Sequence, residues 1–199
     1  MARKNRLSLV NSYVKDLLSK NLPKNLYYHN IEHTFNKKNG MVAMVSKLTD
    51  IEKIPSYQKE LLIVAAYFHD TGYTESSENN ELIAARIASG ILPALGFTKK
   101  EISIIKSLIL ATASNHKPEN IMEEIIKDAD LDNLGRDDFF ERCEDLRKEL
   151  NIKNKLKWYK ETLKFLKKHR YFTSSAIKLR NTEKSKNILK LIELIKKYS

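Results

Sequence analysis

The sequence predicts an all-α, single-domain helical bundle spanning residues 1–199. Glycine and proline are both scarce, at five and four residues, which argues against an all-β sandwich or a disordered chain. Long segments of Leu, Ile, Lys, Glu and Ala run unbroken and repeat their apolar residues at helical spacing. With 199 residues and 42% hydrophobic content, the chain is long and apolar enough to bury one sizeable core.

The elements follow in chain order. Residues 7–20 place Val10, Tyr13, Val14, Leu17 and Leu18 on one helical stripe. NLPKNLYYHN reads as a loop, after which Asn30 caps a helix predicted through IEHTFNKKNGMVAMVSKL. His33 falls in its first turn, and Gly40 weakens its middle. The segment YQKELLIVAAYFHD is apolar without interruption from Leu61 to Phe68. That is too long for a lone strand, so it reads as a fully buried helix with His69 and Asp70 at its C-terminal end. Thr71-Gly72 is predicted to close it, Gly72 supplying a left-handed residue. TESSEN reads as a loop and NELIAARIASGILPAL as a helix, with Pro93 near its end. Thr98 and Glu101 fit a capping box opening EISIIKSLILAT, in which Ile102, Ile105, Leu108 and Ile109 share a face. After the loop SNHKP, Pro118 is predicted to begin ENIMEEIIKDADLDNLG. Helices in RDDFFERCEDLRKEL, LKWYKETLKFLKKH and KSKNILKLIELIKKY complete the chain, and no strand is predicted.

Charge is unevenly distributed. Residues 151–199 hold 15 Lys and Arg against 3 Asp and Glu, whereas the first 150 residues hold 21 against 22. All the excess of the formal +11 therefore sits in the last quarter. Lys dominates there and no Arg-aromatic pattern appears, so the region reads as a solvated basic helix face. Nucleic-acid binding through it is the weaker reading. The single cysteine, Cys143, excludes an internal disulfide framework and has no His or Cys neighbour in sequence, so it reads as an ordinary helix residue. The first residues, MARKNRLSLVNSY, lack a signal-length apolar stretch, and no run approaches the roughly 20 apolar residues of a membrane span. These features predict a cytoplasmic protein.

Five histidines are present: His29, His33, His69, His116 and His169. His69-Asp70 follows the most apolar stretch of the chain. A polar pair at the end of a buried helix needs partners, because unpaired buried polar groups cost on the order of kcal/mol each. A divalent ion satisfies both at once, and imidazole with carboxylate suits Mn, Mg, Zn, Fe, Co or Ni. The doublet alone is equally consistent with a plain His-Asp hydrogen bond.

The ordered set is more informative than the doublet. YHNIEHT, then FHDTGY, then DADLDNLG resembles the HD superfamily of metal-dependent phosphohydrolases, over roughly residues 25–140. Beyond them GRDDFF, the WY pair and HRYFT resemble a bacterial subgroup of HD proteins. The resemblance implies an HD-type core at about 25–140 with the basic helices 151–199 packed on it. It implies His33, His69, Asp70 and Asp130 as metal ligands, with Asp70 also aligning the attacking water. Asp128 and Asp132 are then expected nearby or at the surface. His29 precedes the predicted cap, so it is expected to face substrate rather than the ion. His116, Lys117 and Arg136 are the other candidates to meet substrate.

Two departures narrow the expectation. Asn80 stands where related two-metal proteins often carry His, so one metal ion is expected and a di-iron oxygenase becomes the alternative enzyme class. The acidic residues that follow the doublet in alarmone hydrolases and nucleoside monophosphatases are missing after Thr71-Gly72-Tyr73. The expected activity is hydrolysis of a phosphate ester, of a nucleotide or another small phosphorylated metabolite. The other alternative is a non-catalytic nucleotide-binding module.

Overall fold

The computed structural model describes residues 3–198. Among the described residues there are ten α-helices and no strand. They are α1 Arg3–Asn21, α2 Ile31–Phe35, α3 Met41–Ile51, α4 Ser56–Phe68, α5 Asn80–Ile91, α6 Lys99–Ala111, α7 Ile121–Asp130, α8 Phe139–Glu149, α9 Lys155–Lys168 and α10 Ser174–Tyr198. Single turns of 3-10 helix at Thr71–Thr74 and Asp132–Gly135 follow α4 and α7. No helix of the described chain is long and apolar enough to cross a membrane.

The apolar run of α4 makes it the hub. Leu61, Leu62, Val64, Ala65, Ala66 and Phe68 are all buried, and α1, α3, α5, α6 and α7 pack around them. Each surrounding helix contributes an apolar stripe: Val10, Val14 and Leu18 from α1, Met44 and Leu48 from α3, Ile105 and Ile109 from α6, Ile125 and Ile126 from α7. Burying each such side chain contributes about 1.5–3 kcal/mol before the entropy of ordering is subtracted. The predicted capping box at the start of α6 is present, with Thr98 and Glu101 bonding each other's backbone N–H.

Three local expectations are corrected. The helix predicted from Asn30 through Leu48 is two helices, α2 and α3. Asn36 breaks it by accepting the backbone N–H of Lys38 and of Asn39 at 3.0 Å each. Gly40 becomes the N-cap of α3, where an added Cβ would lie 2.6 Å from the Asn36 nitrogen. Gly72 does not adopt a left-handed conformation; among the glycines, Gly96 does. Gly72 is instead a point of contact, since a Cβ there would sit 2.0 Å from the Asn80 carbonyl oxygen at the start of α5. Lastly, α7 starts at Ile121 rather than Pro118, because Asn120 caps it by accepting from the N–H groups of Met122 and Glu123.

The basic C-terminal helices are tied to the rest by acids of α7 and the turn behind it. Asp128 accepts the backbone N–H groups of Phe172 and Thr173 and the Thr173 hydroxyl, at 2.8–3.2 Å, just ahead of α10. Asp132 pairs with Arg180 of α10. Both acids are buried, which removes the surface half of the expectation for them.

Candidate metal centre

Three chain segments converge at one end of α4. Asn30 caps α2 by accepting from Glu32 N–H and His33 N–H at 3.0 and 3.2 Å, which fixes His33 in the first turn. His69 ends α4 with its Nδ1 bonded to the Ala66 carbonyl at 2.8 Å. A carbonyl only accepts, so Nδ1 carries a proton, and Nε2 is the nitrogen that faces Asp70 and Asp130. Asp130, the last residue of α7, faces both rings.

The resulting distances are short. His33 Nε2 lies 3.2 Å from Asp130 Oδ1 and 3.5 Å from Asp70 Oδ2. His69 Nε2 lies 3.1 Å from Asp70 Oδ2 and 3.6 Å from Asp130 Oδ1. One donor atom from each of His33, His69 and Asp130 falls within 4.8 Å of the others, a grouping able to hold a metal ion. His69 Nε2 and Asp70 Oδ2 are both fully buried and misaligned for a bond to each other, and neither has another hydrogen-bond partner. A cation at this point, proton or metal ion, would satisfy both atoms, and the nitrogen-oxygen donor set suits a divalent metal.

Electrostatics agree. Burial opposes charge on His69, but the carboxylates of Asp70 and Asp130 outweigh it and push its pKa up to about 9. Burial likewise works against ionised Asp70, yet the His69 ring beside it holds the carboxyl well below its ordinary range. For His33 burial wins and the pKa falls, despite the Asp130 hydrogen bond. The pocket thus attracts positive charge while keeping one imidazole neutral.

His29 stands beside this group. Its Nδ1 bonds Glu149 at the end of α8, its ring stacks on Tyr73 with centroids 4.3 Å apart, and its Nε2 is 3.3 Å from the Tyr73 hydroxyl. Burial lowers its pKa, but the Glu149 hydrogen bond and the carboxylates of Asp70, Glu149 and Asp130 raise it further, for a net upward shift. Glu149 also accepts the backbone N–H groups of Tyr28 and His29, and Arg142 donates to the Tyr28 carbonyl at 2.6 Å. The loop carrying His29 is therefore held by α8, 120 residues away in sequence.

Asp130 borders three cavities. One is polar, about 270 Å³, and shared with His33, Asn133, Arg136 and Arg142. A second, about 500 Å³, is lined by His116, Lys127, Lys168 and Arg170. A third, about 370 Å³, runs from His29 between α8 and α9. No protein-family model, curated protein or solved structure matches this chain.

The sequence-derived candidates divide clearly. His33, His69, Asp70 and Asp130 come together, and His29 joins their rim. His116 borders the same cavity as Asp130 but is bonded to Glu123 at 2.8 Å. Lys117 is exposed on its loop and lines none of the three cavities, so the structure does not bring it to the site. Arg136 lines the polar cavity, but its guanidinium is engaged by Asp138 at 2.7 and 2.8 Å and by the Asn39 carbonyl at 2.8 Å. It holds loops together rather than offering a free anion clamp. Asn80 is buried at the start of α5 with its Oδ1 unpartnered. Tyr73, Glu149, Arg142 and Lys127 were not anticipated. Tyr73 alone left a signal, its place three residues after the doublet; the others arrive through tertiary packing.

Proposed function

We propose that this chain is a metal-dependent phosphohydrolase of the HD type, with one divalent ion held by His33, His69, Asp70 and Asp130. The observation that carries the reading is the pair His69 Nε2 and Asp70 Oδ2, buried without a hydrogen-bond partner where His33 and Asp130 meet. When bound there, a divalent cation supplies Lewis acidity toward phosphate oxygens and water.

The chain's own residues supply the rest. His69 is fixed as a ligand by the Ala66 carbonyl behind it, which sets its tautomer. Asp70 lies against both rings, and in this reading it orients a water for attack on phosphorus. His29 is backed by Glu149 and stacked on Tyr73, and in this reading it hands a proton to the departing alkoxide. The cavity lined by Lys127, Lys168 and Arg170 offers positive charge beside Asp130 for the phosphoryl group. Asn80 takes the place of a further histidine, which favours one ion over the di-iron arrangement.

The test combines metal content with turnover. Purified protein is assayed for bound metal and for the effect of Mn²⁺ on its melting temperature. A panel of phosphomonoesters and phosphodiesters is then assayed across divalent metals, with Asp70→Ala as control. Metal-dependent hydrolysis that Asp70→Ala abolishes is the expected result. Absence of bound metal, no thermal shift with Mn²⁺, or hydrolysis that survives Asp70→Ala overturns the proposal.

A further inference from the structure

The cavity between α8 and α9 bears on what the substrate is. One end of its lining is polar and is shared with the candidate metal centre: Tyr28, His29, Asp130 and Asn133. The rest is mainly apolar: Phe139, Leu146, Trp158 and Leu166, with Phe165 half-exposed at the opening. The polar groups among these are engaged within the protein; Arg142 donates to Asp145 and to the Tyr28 carbonyl. Trp158 Nε1 donates to Cys143 Sγ at 3.1 Å, and the same sulfur lies 3.9 Å from Thr162 Oγ1. Burial raises the Cys143 pKa, which keeps the thiol a neutral wall group. Glu161 is at the exposed rim.

A nucleobase or sugar inserted here would leave ring nitrogens or hydroxyls without partners, which is the costly way to bury polar groups. An alkyl or aryl group meets carbon walls instead. Size also fits: a cavity of roughly 150 Å³ takes up benzene, and this one measures about 370 Å³. It therefore has room for a ring or a chain of several carbons.

We infer that this cavity receives an apolar group on the alcohol side of the scissile phosphoester, so that the substrate is an alkyl or aryl phosphate rather than a nucleotide. The inference rests on the phosphohydrolase reading for its phosphate end and on the cavity alone for its apolar end.

The chain has a single tryptophan, Trp158, and it lines this cavity, so its fluorescence reports occupancy without metal or turnover. Cyclohexanol is titrated into metal-free protein. Hexyl phosphate and glycerol phosphate are then titrated into protein with Mn²⁺. The expected results are a saturable fluorescence change with cyclohexanol and binding of hexyl phosphate about tenfold or more tighter than glycerol phosphate. Leu146→Asn, which makes the wall polar, and Thr162→Phe, which fills the space, each remove that preference. Two variants are used, with melting curves, so that misfolding of one leaves the other informative. No saturable response to cyclohexanol, or equal affinity for the two esters, overturns the inference. A normal response to cyclohexanol with no Mn²⁺ effect on either ester overturns the substrate assignment by way of the metal reading, and so identifies which half failed.

Discussion

Two buried knots of charge join distant helices in this protein, and they are closed in opposite ways. In one, Arg6 of α1 donates to Glu60 of α4 at 2.8 Å, to Glu101 of α6 at 3.2 Å and to the Gly96 carbonyl at 3.1 Å. Glu101 accepts further from the Thr98 N–H and hydroxyl at 2.7 and 2.9 Å. What remains unbonded is Arg6 Nε, on a guanidinium lying 4.2 Å above the Phe97 ring. In the other, His33, His69, Asp70 and Asp130 leave His69 Nε2 and Asp70 Oδ2, 3.1 Å apart, without a hydrogen-bond partner. The first knot meets its carboxylates with donors of the chain itself, Arg6 and Thr98, and serves the fold. The second leaves two buried polar atoms without a hydrogen-bond partner.

The largest effect that tests this contrast is on stability. Arg6→Ala leaves two buried carboxylates without their cation and is expected to cost about 3–5 kcal/mol in urea denaturation. The surviving folded fraction should still gain thermal stability from Mn²⁺. Asp130→Asn should show the reverse pattern. It relieves like charge at the open knot and changes metal-free stability by about 1 kcal/mol or less, but it abolishes the gain from metal, about 2.7 kcal/mol at one hundred times Kd. If Asp130→Asn proves as destabilising as Arg6→Ala without metal, the two knots are alike and the contrast fails.

Next in size is Gly72→Ala. The new Cβ would overlap the Asn80 carbonyl, 2.0 Å away, and something must move. A loss of about 1–3 kcal/mol is expected. Because Gly72 is two residues from Asp70, calorimetric Mn²⁺ affinity should fall as well. Unchanged melting temperature and affinity would mean that the turn yields freely.

The smallest effect near neutral pH concerns a third buried contact, Lys184 Nζ with His169 Nδ1 at 2.9 Å. Burial first, then the charges of Lys184 and Arg170, push the His169 pKa down to about 4. The folded ring therefore stays neutral while the unfolded chain takes up a proton below about pH 6.5. The unfolded state binds more protons across that window, so stability falls as pH drops from about 6.5 to 4. His169→Gln should flatten this slope in urea midpoints measured across the range; identical slopes would remove His169 from the account.

Much of this was legible in the sequence where the signal is local. The caps at Asn30 and Thr98 and the buried run of α4 depend on neighbours a few residues away, and they stand as read. His33, His69, Asp70 and Asp130 do meet, an arrangement that the order of their motifs anticipated. What escaped was long-range or sub-residue in scale. The hold of Glu149 on His29, and the engagement of Arg136 by Asn39 and Asp138, depend on packing that composition does not encode. Gly72 was noticed for its conformational freedom, whereas its role is to have no side chain. The break at Asn36 went unseen because a side chain competing for backbone N–H groups is a matter of geometry rather than hydropathy.

Asp128, Asp130 and Asp132 alternate along one short stretch, and each points to different work: anchoring the start of α10, facing His33 and His69, and pairing with Arg180. Asp128 and Asp130 lie on α7, which turns about 100° per residue, so their directions are a matter of phase, while Asp132 opens the 3-10 turn behind it. Substituting a neighbour leaves the phase intact. Inserting or deleting one residue between Asn120 and Asp128 shifts it, turning Asp130 aside and pulling the α10 anchor out of register at once. Length, more than composition, is what this stretch must keep.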